Sequence, residues 1–100
     1  MTSVIWEFTV SAENRQSFES AYDGNGVWAQ LFRRDPAYRE TILLRDDAEA
    51  GRYFTIDVWE DKDSYTKFQE HFADEYKKID AECERLTQSE RRIGLFERLG

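Results

Sequence analysis

The sequence predicts an α+β domain: a four-stranded antiparallel sheet carrying its helices on one face. Three observations lead there. Residues 4–10, 38–45, 53–59 and 91–98 read as strands, from alternation and from their aliphatic and aromatic content. Helical stretches lie between the first and second of these and between the third and fourth. Only a polar turn separates the middle two, so they form a hairpin. Strand, helix, strand, strand, helix, strand, joined by right-handed crossovers, is the ferredoxin-like βαββαβ topology, with strands in the spatial order 4-1-3-2.

Along the first strand Val4, Trp6, Phe8 and Val10 point one way, and Ile5, Glu7 and Thr9 the other. Ser11 is placed to cap a helix, with Glu13 in the first turn, where the backbone dipole favours negative charge. Phe18, Ala21 and Tyr22 make a short apolar stripe, and DGNG at 23–26 ends it with two glycines able to adopt left-handed backbone. Trp28, Leu31 and Phe32 mark a second short helix closed by Pro36. YRETILLR is the second strand, DDAEAG the turn, and Gly51 leads into the third strand. Asp61 is a candidate cap for the next helix. Its Tyr65, Phe68, Phe72, Tyr76, Ile79, Cys83 and Leu86 recur every three or four residues. Neither glycine nor proline interrupts 62–88, which leaves room for a bend near Ala73. RRIGLFER supplies the last strand.

The third strand has two unlike faces. Phe54, Ile56 and Val58 are apolar; Tyr53, Thr55, Asp57 and Trp59 form an aromatic wall containing a carboxylate. Such a strand is expected to be covered on both sides. An acid in that setting needs a reason to be there, and a pocket is one. Both helices pack on one side of the sheet. The other side, expected to carry Trp6, Phe8, Phe54, Ile56 and Val58 or their neighbours, has no element left to cover it. A symmetric homodimer, sheet against sheet, is the simplest cover.

One hundred residues make one domain, spanning 1–100. The net charge of −7 comes without a basic cluster; the arginine pairs at 33–34 and 91–92 lie beside acids and read as solvated edges. Nucleic acid and anionic membranes are therefore not expected partners. With one cysteine, Cys83, and one histidine, His71, neither an internal disulfide nor a thiolate or histidine-rich metal site is expected. The amino terminus lacks a signal-peptide pattern and no apolar run is long enough to span a bilayer, so a cytoplasmic protein is the expectation.

The blocks FESAY, GVWAQLFRRDPAY, ETILLRD, GRYFTIDVWED and SYTKF resemble the dimeric α+β barrel proteins of the antibiotic-biosynthesis-monooxygenase type. The similarity runs from VIWEFTV to ERRIGLFE, with one departure at Ala37, a turn position where relatives tend to show glycine. The resemblance implies a homodimer and, in members that are enzymes, oxygen insertion into phenolic, quinol-like or polycyclic aromatics with neither metal nor flavin; other members degrade heme. Carried over from the actinorhodin-pathway type, the tryptophan ending the third strand matches Trp59 and the tyrosine of the next helix matches Tyr65. The third-strand asparagine is Thr55 here. Heme degradation would need an asparagine where Glu7 stands and a histidine later in the helix than His71, so heme is not expected. No cofactor is expected.

Oxygenation without a cofactor needs a substrate that can itself donate an electron to oxygen, hence a base, an anion stabiliser and a dry cavity. Asp57 is the candidate base or orienter. It is expected beside Glu7, where two close carboxylates would push one pKa upward; the alternative is that each pairs with an arginine at the sheet edge. Trp59 and Tyr65 could sandwich a flat ligand or simply fill the core. Trp28 and Phe72 could wall a pocket or pack, and His71 could shuttle protons or sit in solvent. Cys83 reads as a small core hydrophobe. Three functions fit: a cofactor-independent monooxygenase, a non-catalytic small-molecule binder or structural dimer, and a cyclase or isomerase of polyketide-like intermediates.

Overall fold

The structure, a computed structural model, describes residues Met1–Gly100. Strands β1 (Thr2–Thr9), β2 (Tyr38–Arg45), β3 (Arg52–Trp59) and β4 (Ser89–Glu97) form one antiparallel sheet in the order β2-β3-β1-β4, as the topology predicts. Helices α1 (Arg15–Tyr22) and α2 (Val27–Phe32) follow β1, and α3 (Lys62–His71) and α4 (Ala73–Cys83) follow β3. No helix is long and apolar enough to cross a membrane.

Register assigns the faces. Val4 lies opposite Asp57, Trp6 opposite Thr55 and Phe8 opposite Tyr53. Directly opposed residues share a face. The inner face therefore holds Val4, Trp6 and Phe8 together with Tyr53, Thr55, Asp57 and Trp59. Phe18 and Tyr22 of α1, Trp28 and Phe32 of α2, Tyr65 and Phe68 of α3, and Cys83 of α4 join this face in one core. The expected grouping of Trp6 and Phe8 with Phe54, Ile56 and Val58 is thus corrected: the antiparallel register puts the first pair under the helices and the other three on the open side. Ile5 and Glu7 share that open side with Ile42, Leu44 and Phe96. Leu44 is 48 % exposed and Phe96 46 %.

One irregularity matters for the site. The register of β2 slips between Tyr38, opposite Trp59, and Glu40, opposite Val58. Alternation restarts after this bulge, so Tyr38 and Thr41 both face inward although they are three residues apart.

The helix ends differ from expectation in two places. Ser11 gives no side-chain cap; a 3-10 turn at Ala12–Asn14 precedes α1, and the Ser11 hydroxyl accepts from the Asn14 amide at 3.3 Å instead. At DGNG neither glycine is left-handed. The Asp23 carboxylate accepts the Asn25 N–H at 2.8 Å, and Gly26 is required because a Cβ there would lie 2.2 Å from the Ala21 carbonyl oxygen. The expected cap at Asp61 is present, accepting the Ser64 N–H at 2.7 Å. The apolar stripe of 62–88 is divided at Phe72, whose φ of −107° and ψ of 26° end α3 and start α4, next to the anticipated Ala73.

Candidate functional site

Between the inner face and the helices lies a cavity of about 40 Å³. The sheet contributes Trp6, Phe8, Thr41, Thr55 and Asp57 to its wall. Tyr22, Trp28 and Phe32 close it from α1 and α2, while Tyr76 and Asp80 of α4 and Glu90 of β4 stand at the remaining side. Asp80 and Glu90 are solvent-exposed, so the cavity reaches the surface there. Its volume at rest suits a few water molecules, at roughly 10–15 Å³ each.

Asp57 is the charged group of the deep wall, only 8 % exposed. The Thr41 hydroxyl donates to its Oδ1 at 2.7 Å. That uses Thr41's single hydrogen, so the Tyr38 hydroxyl, 2.7 Å from Thr41 Oγ1, is the donor of the next bond. The result is a short chain, Tyr38 to Thr41 to Asp57. No arginine, lysine or histidine pairs with Asp57. Burial pushes its carboxyl up to about 7, with the Thr41 hydrogen bond pulling the other way. Near neutrality the group is poised between neutral and ionised forms. Burial also raises the Tyr38 phenol, against the pull of its Thr41 hydrogen bond.

Glu7 is not beside Asp57. It faces the open side, where Arg91 Nη2 donates to Oε1 at 2.8 Å and Arg52 Nε to Oε2 at 2.7 Å. The Arg91 and Arg52 hydrogen bonds lower its pKa. The thickness of the sheet separates the two acids, and the rise at Asp57 comes from burial, not from a second carboxylate. Pairing with edge arginines describes Glu7 and not Asp57.

Of the other predicted site residues, Thr55 and Trp28 join Asp57 in the cavity wall. The buried Trp28 indole N–H makes no hydrogen bond. Trp59 is wholly buried, and its ring centroid lies 5.6 Å from that of Tyr65. These rings pack against each other with Phe68, leaving no slot for a flat ligand between them. Trp59 also has an unpartnered indole N–H. Burial raises the Tyr65 phenol, with Arg92 acting in the opposite sense. Phe72 stacks on Phe68 at 4.9 Å under the Arg34 guanidinium, and His71 is exposed at its edge; neither reaches the cavity.

Sequence reasoning missed Tyr38 and Thr41, because a bulge that reverses alternation leaves no mark in YRETILLR. It also passed over Tyr76, Asp80 and Glu90. The i, i+4 spacing of Tyr76 and Asp80 was the available signal.

The sequence matches the antibiotic biosynthesis monooxygenase family over residues 1–82. No curated protein matches it significantly. Among solved structures, a mutant of SnoaB, a cofactor-independent oxygenase from Streptomyces nogalater, shares the fold with a TM-score of 0.73 at 22% identity, over 99% of this chain and 93% of that one. A Deinococcus radiodurans protein named for the same family gives 0.75 at 14% identity, over 100% and 94%. PA3566 from Pseudomonas aeruginosa gives 0.68 at 16%, over 99% and 94%. At such identities the likeness concerns the fold. The family match covers most of the sequence, and the sheet order and helix placement agree with it: this chain belongs to the antibiotic biosynthesis monooxygenase family, with the ferredoxin-like fold of its dimeric α+β barrels.

Proposed function

We propose that this protein is a cofactor-independent oxygenase of a small phenolic or quinol-like substrate, with Asp57 as the proton acceptor. The observation that carries the reading is Asp57 itself: a carboxylate without a counter-cation, deep in an aromatic-walled cavity, with its carboxyl raised to about 7. A general base works best when its pKa lies near the operating pH.

The chemistry follows from the substrate's own electrons. Asp57 takes the hydroxyl proton, and the resulting anion is rich enough to pass one electron to dioxygen. The aryloxyl radical and superoxide join at a ring carbon, and Asp57 returns its proton to the peroxide. Loss of the carbon-bound hydrogen with the distal hydroxyl releases water and leaves a quinone carbonyl. One dioxygen is consumed, one oxygen atom is retained and one leaves as water. The Thr55 hydroxyl, in the cavity wall, is the donor available to the oxyanion. Thr41, held by Tyr38, fixes the orientation of Asp57. A cavity of about 40 Å³ favours one ring over a fused system, and even one ring must push side chains aside on entry.

The open face of the sheet is, on this reading, covered by a second copy. Ile42, Leu44 and Phe96 are exposed there beside Phe54 and Ile56, a surface suited to an isologous interface.

Oxygen uptake with a panel of one-ring phenols and hydroquinones tests the proposal, with anthrones as the fused-ring comparison. Uptake with wild type and its loss in Asp57→Asn supports it. Product formed equally well under strict anaerobiosis points instead to a cyclase or isomerase using the same base.

A further inference from the structure

The cavity wall is one-sided in charge. It holds Asp57 at depth and Asp80 and Glu90 at the rim, and no lysine, arginine or histidine. Asp80 and Glu90 take part in no ion pair or side-chain hydrogen bond. Between rim and floor stand aromatic rings, among them Trp28 and Tyr76, whose centroids are 4.8 Å apart. Carboxylates without counter-ions beside aromatic faces attract cations from two directions, by charge and by ring quadrupole. A separate observation concerns the ligand's other end. Asp57, 8 % exposed and part of the cavity wall, has a single hydrogen bond, from the Thr41 hydroxyl, and no counter-cation. Its second oxygen is free to accept from a hydroxyl.

We propose that the substrate carries, besides its aromatic hydroxyl, a protonated alkylamine that rests between Asp80 and Glu90, and that carboxylated aromatics are excluded. The inference rests on reading this cavity as the substrate site. The hydroxyl end meets Asp57, and the ammonium end stays at the wet rim. Arg92, opposite Trp6 on this face of the sheet, acts on Tyr65 and lies outside the cavity wall. Burial raises the Glu90 carboxyl, and so do the neighbouring Asp80 and Glu84 charges. The Tyr76 phenol is raised by burial first, and further by Tyr65, Asp80 and Asp57. An incoming ammonium relieves this crowding, whereas an incoming carboxylate adds to it.

Three catechols with one ring and different arms provide the test: dopamine, 4-methylcatechol and 3,4-dihydroxyphenylacetate. Binding is measured without oxygen by calorimetry and tryptophan fluorescence, so the result does not depend on turnover. Dopamine is expected to bind at least about tenfold more tightly than the carboxylated probe, with the neutral one between, and added salt should narrow the spread. The double variant Asp80→Asn, Glu90→Gln should bring the three within about twofold of each other. Both side chains are exposed, so the fold should persist, which circular dichroism checks. Equal affinities in wild type, or a preference untouched by the double variant, overturn the charge selection while leaving the cavity as a binding site. Failure of all three probes to bind at millimolar concentration overturns the cavity reading as well.

Discussion

Asp57 and Glu7 sit on neighbouring strands of one sheet, each flanked by large apolar residues, and their environments are opposite. Glu7 emerges on the open face between Arg52 and Arg91, whose hydrogen bonds hold its carboxyl below the usual range. Asp57 emerges on the covered face with one hydroxyl for company, and burial lifts it to about 7. Neither residue type nor local sequence distinguishes them. Face parity does: one step along a strand exchanges a permanently charged edge group for a group able to carry a proton at neutral pH.

The sharpest way to break this contrast is Asp57→Asn. Turnover should fall by about 10²–10⁴ at neutral pH, the usual scale for loss of a positioned base. Stability should move the other way. The folded state holds the Asp57 proton far above the ordinary 3.8, so wild-type stability declines as pH climbs from about 4 to about 7 and the full penalty remains above that. Urea unfolding at pH 8 should show the variant more stable by roughly 2–4 kcal/mol, with the gap closing near pH 4.

A charge placed on the open face probes the other half of the comparison. Leu44→Glu should weaken self-association by about a hundredfold or more, because an unpaired carboxylate would be trapped between sheets. Sedimentation velocity reads this directly, and a monomeric wild type at micromolar concentration would contradict the sheet-to-sheet assembly.

Thr41→Val is milder. It removes the one hydrogen bond that favours the ionised Asp57, so the acid limb of the pH–rate profile should move upward, with a stability loss of about 1 kcal/mol. Tyr38→Phe should shift that limb less, since it acts only through Thr41. Smallest of all is Glu7→Gln. Its pair with the arginines stabilises the fold above the normal carboxylate range, near 4.5, and is lost as pH falls through the lowered value. The variant should therefore show a slightly reduced urea midpoint at pH 7, no difference in acid, and unchanged affinity for a cavity ligand.

The elements were legible in the sequence because each carries its own period. Alternation in VIWEFTV and YFTIDVW gave the two central strands, and the three-and-four spacing from Tyr65 to Leu86 gave the long helical stretch with its bend. Asp57 was also legible, as an acid on an otherwise aromatic face. What alternation cannot supply is which face of one strand meets which face of the next. That depends on register, and it is why Glu7 meets edge arginines and not Asp57, and why Trp6 and Phe8 lie under the helices and not on the open side. The Tyr38–Thr41 link depends on a bulge, and the cavity on seven elements meeting; both are tertiary facts. Trp59 and Tyr65 show the same limit. A motif names the residues, but their 5.6 Å contact decides that they support each other and do not clasp a ring.

The most direct test is a carboxyl-detected NMR titration of the wild-type protein, with Glu7 as the internal reference. Asp57 should titrate near 7 while Glu7 titrates below 4.5. An Asp57 midpoint near 3.8, alongside the surface acids, would contradict the account of a buried, proton-accepting carboxylate at the centre of this site.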